Sequence, residues 1–238
     1  SHHINSYAAY VQDQWQVNDK LYFIPSLRFE HNSQFGSEVT PKVGLTYNFN
    51  ANWRFKANYG LGYKAPTITE LYMRMHRAMG VTTVNIYGNP EKSRSFDFSV
   101  EGDKGDWFGK VTYFNNNVSN LITTERVPGS TGAVYHYVNV DDAQINGVEA
   151  EIGKHFGKRW TVKATYNWLD AVDKNSRERL DGRARNTSTL QLIYDDKNKA
   201  TGFSAVLWDQ FAQDYRYDGE DYTYNTVNLS FNKHLNEA

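Results

Sequence analysis

The chain has 238 residues, of which 39% are hydrophobic, 15% aromatic and 22% charged, with 26 Lys plus Arg against 27 Asp plus Glu and a formal charge of -1. That balance excludes nucleic-acid binding driven by bulk positive charge, and the absence of cysteine excludes disulfides, zinc–thiolate sites and cysteine nucleophiles. No apolar run approaches the roughly 18–20 residues of a membrane helix, but a mean hydropathy of -0.70 leaves membrane strands open, because alternating strands average to a hydrophilic score.

The period of the sequence is two almost throughout. It predicts eleven strands, near 4–17, 20–31, 38–49, 53–64, 92–102, 106–118, 134–153, 159–171, 185–195, 199–212 and 221–234. Trp53, Phe55, Ala57, Tyr59, Leu61 and Tyr63 fall on one face, with Arg54, Lys56, Asn58 and Gly60 on the other. Phe96, Phe98 and Val100 oppose Ser95, Asp97, Ser99 and Glu101, and Trp160, Val162, Ala164, Tyr166 and Trp168 oppose Thr161, Lys163, Thr165 and Asn167. Short turns near 18–20, 50–52, 102–106, 156–158 and 195–198 alternate with longer links at 32–37, 65–91, 119–133, 172–184 and 213–220. In an up-and-down meander this puts every short turn on one side and every long link on the other.

That asymmetry fits an all-β, antiparallel transmembrane barrel with short periplasmic turns and long extracellular loops. Trp53, Tyr63, Trp107, Trp160 and Trp168 lie on the apolar face near strand ends, as interfacial aromatic girdles require. A soluble β-sandwich alternates in the same way, but its strands are usually about 5–6 residues long, whereas several here reach the roughly 9–11 that a tilted membrane strand needs. Eleven strands is an odd number, and bacterial single-chain barrels are even. The expectation is therefore a piece of a larger barrel.

Residues 63–72 read Tyr63-Lys64-Ala65-Pro66-Thr67-Ile68-Thr69-Glu70-Leu71-Tyr72, and Tyr87-Gly88-Asn89-Pro90-Glu91-Lys92-Ser93 follows. Together they resemble the paired boxes of TonB-dependent outer-membrane receptors. Tyr7-Ala8-Ala9-Tyr10-Val11-Gln12-Asp13-Gln14-Trp15 and Asn146-Gly147-Val148-Glu149-Ala150-Glu151 are similar to strands of the same family. The resemblance covers essentially the whole chain. It departs in one place: Asn89-Pro90 runs straight into Glu91-Lys92-Ser93, where the family normally has a Leu and a Pro between.

The resemblance implies a barrel of about 22 strands with a plugged lumen. Residues 1–238 would be a partial barrel domain, without the plug, the TonB-contacting box and the last strands. It implies a receptor in the outer membrane of a Gram-negative-type bacterium, a monomeric barrel among lipid and lipopolysaccharide, driven by the TonB complex of the inner membrane. Its cargo would be an iron complex, first a ferric siderophore, with haem or a haemoprotein as the alternative and cobalamin also open. No permanently bound cofactor, nucleic-acid partner or enzymatic activity is implied.

The ligand candidates are Lys64, Tyr72, Arg74, His76, Arg77, Tyr87 and Asn89. In the haem-uptake branch of the family a loop histidine near the position of His76 contacts haem iron, and a neutral imidazole is a good axial ligand. Met73, Met75 and Met79, all three methionines of the chain, would offer a soft apolar surface to a porphyrin, and Tyr72 a second ligand or stacking surface. Arg74 and Arg77 suit an anionic ferric catecholate instead. The plain structural reading makes 67–79 a short loop helix with Met75 and Met79 on one face. Lumen-facing Lys42, Arg54, Lys56, Asn58, Asp97 and Glu101 would line the path or contact the plug.

Weaker groups remain. Asp141 and Asp142 after Asn139 offer oxygens that suit calcium. Asp214, Asp218, Glu220 and Asp221 with Tyr215, Tyr217 and Tyr222 form an acidic aromatic stretch that fits ligand stacking or an outer girdle. Arg177, Arg179, Arg183 and Arg185 fit lipopolysaccharide phosphates or cargo. No nucleophile elbow, zinc-protease motif or phosphate-cradling glycine loop is present, which leaves an outer-membrane phospholipase or protease without a local motif. A passive porin would lack the box from Tyr63 to Tyr72. A soluble carbohydrate-binding β-protein would need no detergent.

Overall fold

The computed structural model describes residues 3–72, 75–77, 80–83, 88–129, 134–196 and 202–233. Fourteen strands form one sheet: β1 (Ser6–Gln12), β2 (Trp15–Gln16), β3 (Leu21–Asn32), β4 (Gly36–Asn48), β5 (Trp53–Lys64), β6 (Met75–Arg77), β7 (Gly80–Thr83), β8 (Glu91–Lys104), β9 (Trp107–Arg126), β10 (Val134–Phe156), β11 (Trp160–Asp173), β12 (Arg183–Asp195), β13 (Phe203–Tyr217) and β14 (Glu220–Lys233). One short helix, α1 (Ile68–Tyr72), follows β5. The main path has eleven strands, β1-β3-β4-β5-β8-β9-β10-β11-β12-β13-β14, each antiparallel to the next in chain order. β2 extends β1 alongside β3, and β6 and β7 form a small hairpin.

The eleven-strand meander is therefore as the alternation predicts, and β5 has the predicted limits. The first strand differs, because it is interrupted at Asp13-Gln14, where the Asp13 carboxylate accepts from the Gln14 amide at 2.8 Å. The strict alternation of short and long connections does not hold. The link at 32–37 is a three-residue turn: the Asn32 side chain accepts from the amides of Gln34 at 2.9 Å and Phe35 at 3.3 Å, and Gly36 takes a positive φ of 79°. This is an Asx turn. The link at 213–220 is a two-residue hairpin turn in which Asp218 (φ 51°) and Gly219 (φ 80°) are both left-handed, as a twist-matched tight hairpin demands.

The apolar residues face away from any core. Among the described residues only Leu71, Val118, Ala143, Ala171 and Ala212 are buried and hydrophobic, which is far too little for the inner layer of a sandwich. Instead Trp53, Trp107, Val111, Ile152, Leu190, Val227 and Leu229 are all roughly half exposed or more. A contiguous exposed apolar face of this size marks a surface made for an apolar medium. The aromatic rim is at the short-turn ends: Trp53, Trp107 and Trp160 open β5, β9 and β11. There the rings form a chain, Trp160–Tyr194 at 4.7 Å, Tyr194–Phe203 at 4.9 Å and Phe203–Phe231 at 5.6 Å between centroids. Trp168, expected near a strand end, lies well inside β11.

β9 has 20 residues and β10 has 23. Since a tilted strand crosses a bilayer in about 9–11 residues, this hairpin projects far beyond the others on the side opposite the short turns.

Candidate functional site

The long-link side is organised by the connection between β5 and β8. It opens with Ala65 and Pro66, and Thr67-Ile68-Thr69-Glu70 forms a reciprocal capping box. The Thr67 amide donates to Glu70 Oε2 at 2.7 Å, and the Glu70 amide donates to Thr67 Oγ1 at 3.2 Å. This arrangement satisfies two amides that a helix start leaves unpaired. Leu71 is fully buried, which fastens α1 to the sheet. The helix stops at Tyr72 and β6 begins at Met75, so the expected helix over 67–79 is a single turn followed by a hairpin. β7 in turn pairs in parallel with the start of β10, Val81 opposite Val134.

Lys64 ends β5 between two carboxylates, Glu70 at 3.4 Å and Glu91 at 3.3 Å. Glu91 also accepts from the Ile122 amide at 2.8 Å. The Lys64 ammonium thus joins the two boxes, and Glu91 ties them to the far part of β9. Tyr72 donates to Gln34 Oε1 at 3.2 Å, which ties α1 to the β3–β4 turn. Asn89 is held through its backbone: its amide donates to Asn139 Oδ1 at 3.0 Å, and Asn139 Nδ2 donates to the Asn89 and Asn120 carbonyls at 3.1 and 2.7 Å.

The other candidates divide. Arg74 and Tyr87, with Met73 and Met79, lie outside the described residues. His76 and Arg77 have backbone places in β6, His76 opposite Val81, and their side chains lie outside the description. Asp142 is inside β10, within the predicted strand at 134–153, and accepts from the Ser119 hydroxyl at 3.0 Å. Among the described residues no three His, Asp or Glu side chains gather to hold a metal ion.

Sequence reading missed a second cluster. Arg179 reaches Asp221 at 2.8 Å and the Asp214 carbonyl at 2.7 Å, Arg216 lies 3.7 Å from Asp221, and Arg185 contacts Asp170 at 3.3 Å. Thus Arg179 of the basic stretch is paired with Asp221 of the acidic stretch, and Arg185 with Asp170 of β11. Opposite charges in two links of one meander were the available signal.

With this geometry in place, the match to known proteins is direct. The family described as TonB dependent receptor-like, beta-barrel matches residues 1–234. The chain belongs to this family of TonB-dependent receptor barrels. It is 26% identical over 190 residues to the vitamin B12 transporter BtuB of Photobacterium profundum, covering 79% of the chain and 30% of that relative. The chain thus spans under a third of the length of the relative. Among solved structures it is similar in fold to the ferric enterobactin receptor PfeA from Pseudomonas aeruginosa, with TM-score 0.71, 18% identity, 98% of this chain and 38% of that one. Similar figures hold for the siderophore receptor PirA from Pseudomonas aeruginosa (TM-score 0.69, 19% identity, 96% and 42%) and the copper transporter OprC (0.73, 16%, 96% and 39%).

In a TonB-dependent receptor barrel the apolar face meets lipid and the polar face meets the lumen. The polar face here carries a cross-strand row: Arg54 opposite Glu101, Glu101 opposite Lys110, Lys110 opposite Glu151. Glu101 serves three cations, Lys56 at 2.9 Å, Arg54 at 3.5 Å and Lys110 at 3.7 Å, and Glu151 takes Lys163 at 3.3 Å. Asn58 Nδ2 donates to Asp97 Oδ1 at 2.8 Å. Lys42 lies along Gly60, where an added Cβ would sit 3.0 Å from Lys42 Cγ. All six residues named from sequence for the lumen are therefore on one face, and five of them are already paired within the wall.

Proposed function

We propose that this chain is the ligand-capturing portion of an outer-membrane receptor that imports a ferric siderophore with energy from TonB. The observation that carries the reading is the anchoring of the β5–β8 connection. Its capping box, the Lys64 bridge between Glu70 and Glu91 and the Asn89–Asn139 pair hold it at fixed points on the wall. A receptor gains affinity when the loop that meets its ligand is preorganised. Arg74 and Arg77 on that connection suit an anionic ferric complex. The similarity to the ferric enterobactin receptor PfeA and the siderophore receptor PirA supports a siderophore, and that to the vitamin B12 transporter BtuB supports cobalamin as the second ligand to try. The work is binding and transport, with the plug and TonB contacts supplied by the rest of the receptor.

The test is binding by the full-length receptor in detergent, followed by tryptophan fluorescence, with a ferric catecholate, a ferric hydroxamate, cyanocobalamin and haemin in parallel. Saturable binding of a ferric siderophore, with the others weak, supports the reading. Saturable binding of cyanocobalamin or haemin alone overturns it.

A further inference from the structure

The apolar face contains a groove of about 490 Å³ near the short-turn rim. Its floor is made by residues with little or no side chain: Gly102, Gly109, Ala150 and Ala164, on four consecutive strands of the path. Register explains the trough. Gly102 is opposite Gly109, Gly109 is opposite Ile152, and Ile152 is opposite Ala164, so three of the four positions of this row have little or no side chain and Ile152 stands as a wall between Gly109 and Ala164. Trp53 lies over Gly102, where an added Cβ would be 2.7 Å from its ring, and Trp107 closes the rim side. All the strands that build the groove lie inside the eleven-strand path, so its shape is independent of whatever continues the sheet.

Cations stand at the rim end. Lys104 lines the groove, and Lys154 is the cross-strand partner of Trp107, its Nζ 4.9 Å from the Trp107 ring and 5.1 Å from Phe156. Neither lysine has a carboxylate partner among the described residues. An ammonium held by aromatic faces is positioned but not neutralised.

We propose that this groove is a specific site for one anionic glycerophospholipid of the leaflet on the short-turn side, with an acyl chain along the Gly102–Gly109–Ala164 floor and the phosphate at Lys104 and Lys154. Asp103 and Glu151 also line the groove but belong to the polar face of their strands, where Glu151 is paired with Lys163, so the two ammonium groups on the apolar face commit the site to an anionic headgroup, and the apolar trough leading away from them commits the remainder to a hydrocarbon chain. The proposal rests on the membrane-barrel reading and is independent of the cargo.

The test uses full-length receptor in nanodiscs of mixed phosphatidylglycerol and phosphatidylcholine, released into native mass spectrometry. The wild-type receptor should retain one phosphatidylglycerol in preference to phosphatidylcholine. Ala164→Leu, which fills the trough from a residue already pointing into it, should lose the retained lipid. Lys104→Gln with Lys154→Gln should keep a lipid but lose the headgroup preference. Equal retention by wild type and Ala164→Leu, or no headgroup preference in the wild type, overturns the proposal. Ferric-siderophore binding measured on the same preparations separates the two readings, because it should survive all three substitutions. Retained lipid without siderophore binding would count against the cargo alone.

Discussion

Arg126 and Asp218, 92 positions apart in the chain, form an ion pair of 3.2 Å between the far end of β9 and the tip of the β13–β14 hairpin. A second bond runs beside it, Tyr135 to Tyr217 at 3.3 Å between hydroxyl oxygens. β11 and β12 lie between these hairpins in the sheet and end lower. The projecting β9–β10 hairpin therefore leans across them onto its neighbour. Both charges are about half exposed, so the pair is worth only about 0.5 kcal/mol. Asp218→Asn should leave the unfolding midpoint almost unchanged but raise the rate of tryptic cleavage at the hairpin tips. Asp218→Asn combined with Tyr217→Phe, which removes the second bond as well and leaves the tryptic sites unchanged, should raise it further, and equal cleavage in all variants would show that the hairpins stand apart.

The tyrosine contact adds a pH dependence. Tyr135 is at the opposite end of β10 from its short turn, clear of the bilayer. Its hydrogen bond with Tyr217, with a smaller contribution from burial, raises its phenol above the ordinary 10.0. The neutral form is the one favoured by folding, so the contact is fully present below the ordinary value and is lost as pH rises through the raised one. Tip protection should accordingly hold at neutral pH and decline above about pH 10, and Tyr217→Phe should weaken it at every pH.

Glu101 concentrates the compensation of the polar wall, with three cations on one carboxylate that is 21% exposed. Glu101→Gln leaves Arg54, Lys56 and Lys110 facing one another. The cations are a third to a half exposed, which limits the loss to about 1 kcal/mol in urea unfolding of the receptor. Lys56→Gln should cost less, since it removes one cation and leaves Glu101 two others. A larger loss from Lys56→Gln than from Glu101→Gln would contradict this account of the row.

Lys64 illustrates how a residue can match a motif for a reason other than ligand contact. Glu70→Ala removes half of the capping box and one arm of the Lys64 bridge, and the cap alone is worth about 1 kcal/mol. Glu70→Gln keeps the amide acceptor and should lose much less. If Lys64 acts by fastening the connection, Lys64→Met and Glu70→Ala should weaken cargo binding by similar factors, and the double variant should be little worse than either. Additive losses would place Lys64 on the ligand itself.

The two-residue period made the eleven-strand path and the division of faces legible, because an exposed apolar face writes itself directly into alternation: Trp53 to Tyr63 against Arg54 to Gly60 needs no tertiary information. The connections were legible only in part. Asp218-Gly219 is a strong signal for a left-handed two-residue turn, yet the charged and aromatic residues around it read as a loop, although they continue β13 and β14. The Thr67–Glu70 capping box was visible in the sequence as Thr-x-x-Glu, but its link to Glu91 through Lys64 depended on β5 and β8 being neighbours, which no local pattern records. The same holds for Arg179 and Asp221.

Gly147, in the stretch Asn146-Gly147-Val148-Glu149, shows what such a motif specifies physically. The glycine is the cross-strand partner of Phe114 on one side and Leu169 on the other. The edge atoms of the Phe114 ring reach over it, and an added Cβ would meet that ring and the Trp168 carbonyl at 2.8 Å. The ring can rotate away, but the carbonyl belongs to the sheet and cannot. Gly147→Ala should therefore destabilise the barrel by about 1–3 kcal/mol, the usual cost of overpacking, read as a lowered urea midpoint. Adding Phe114→Leu should recover only the part due to the ring. Full recovery would mean that the ring, and not the close approach of β10 to β11, is what requires glycine there.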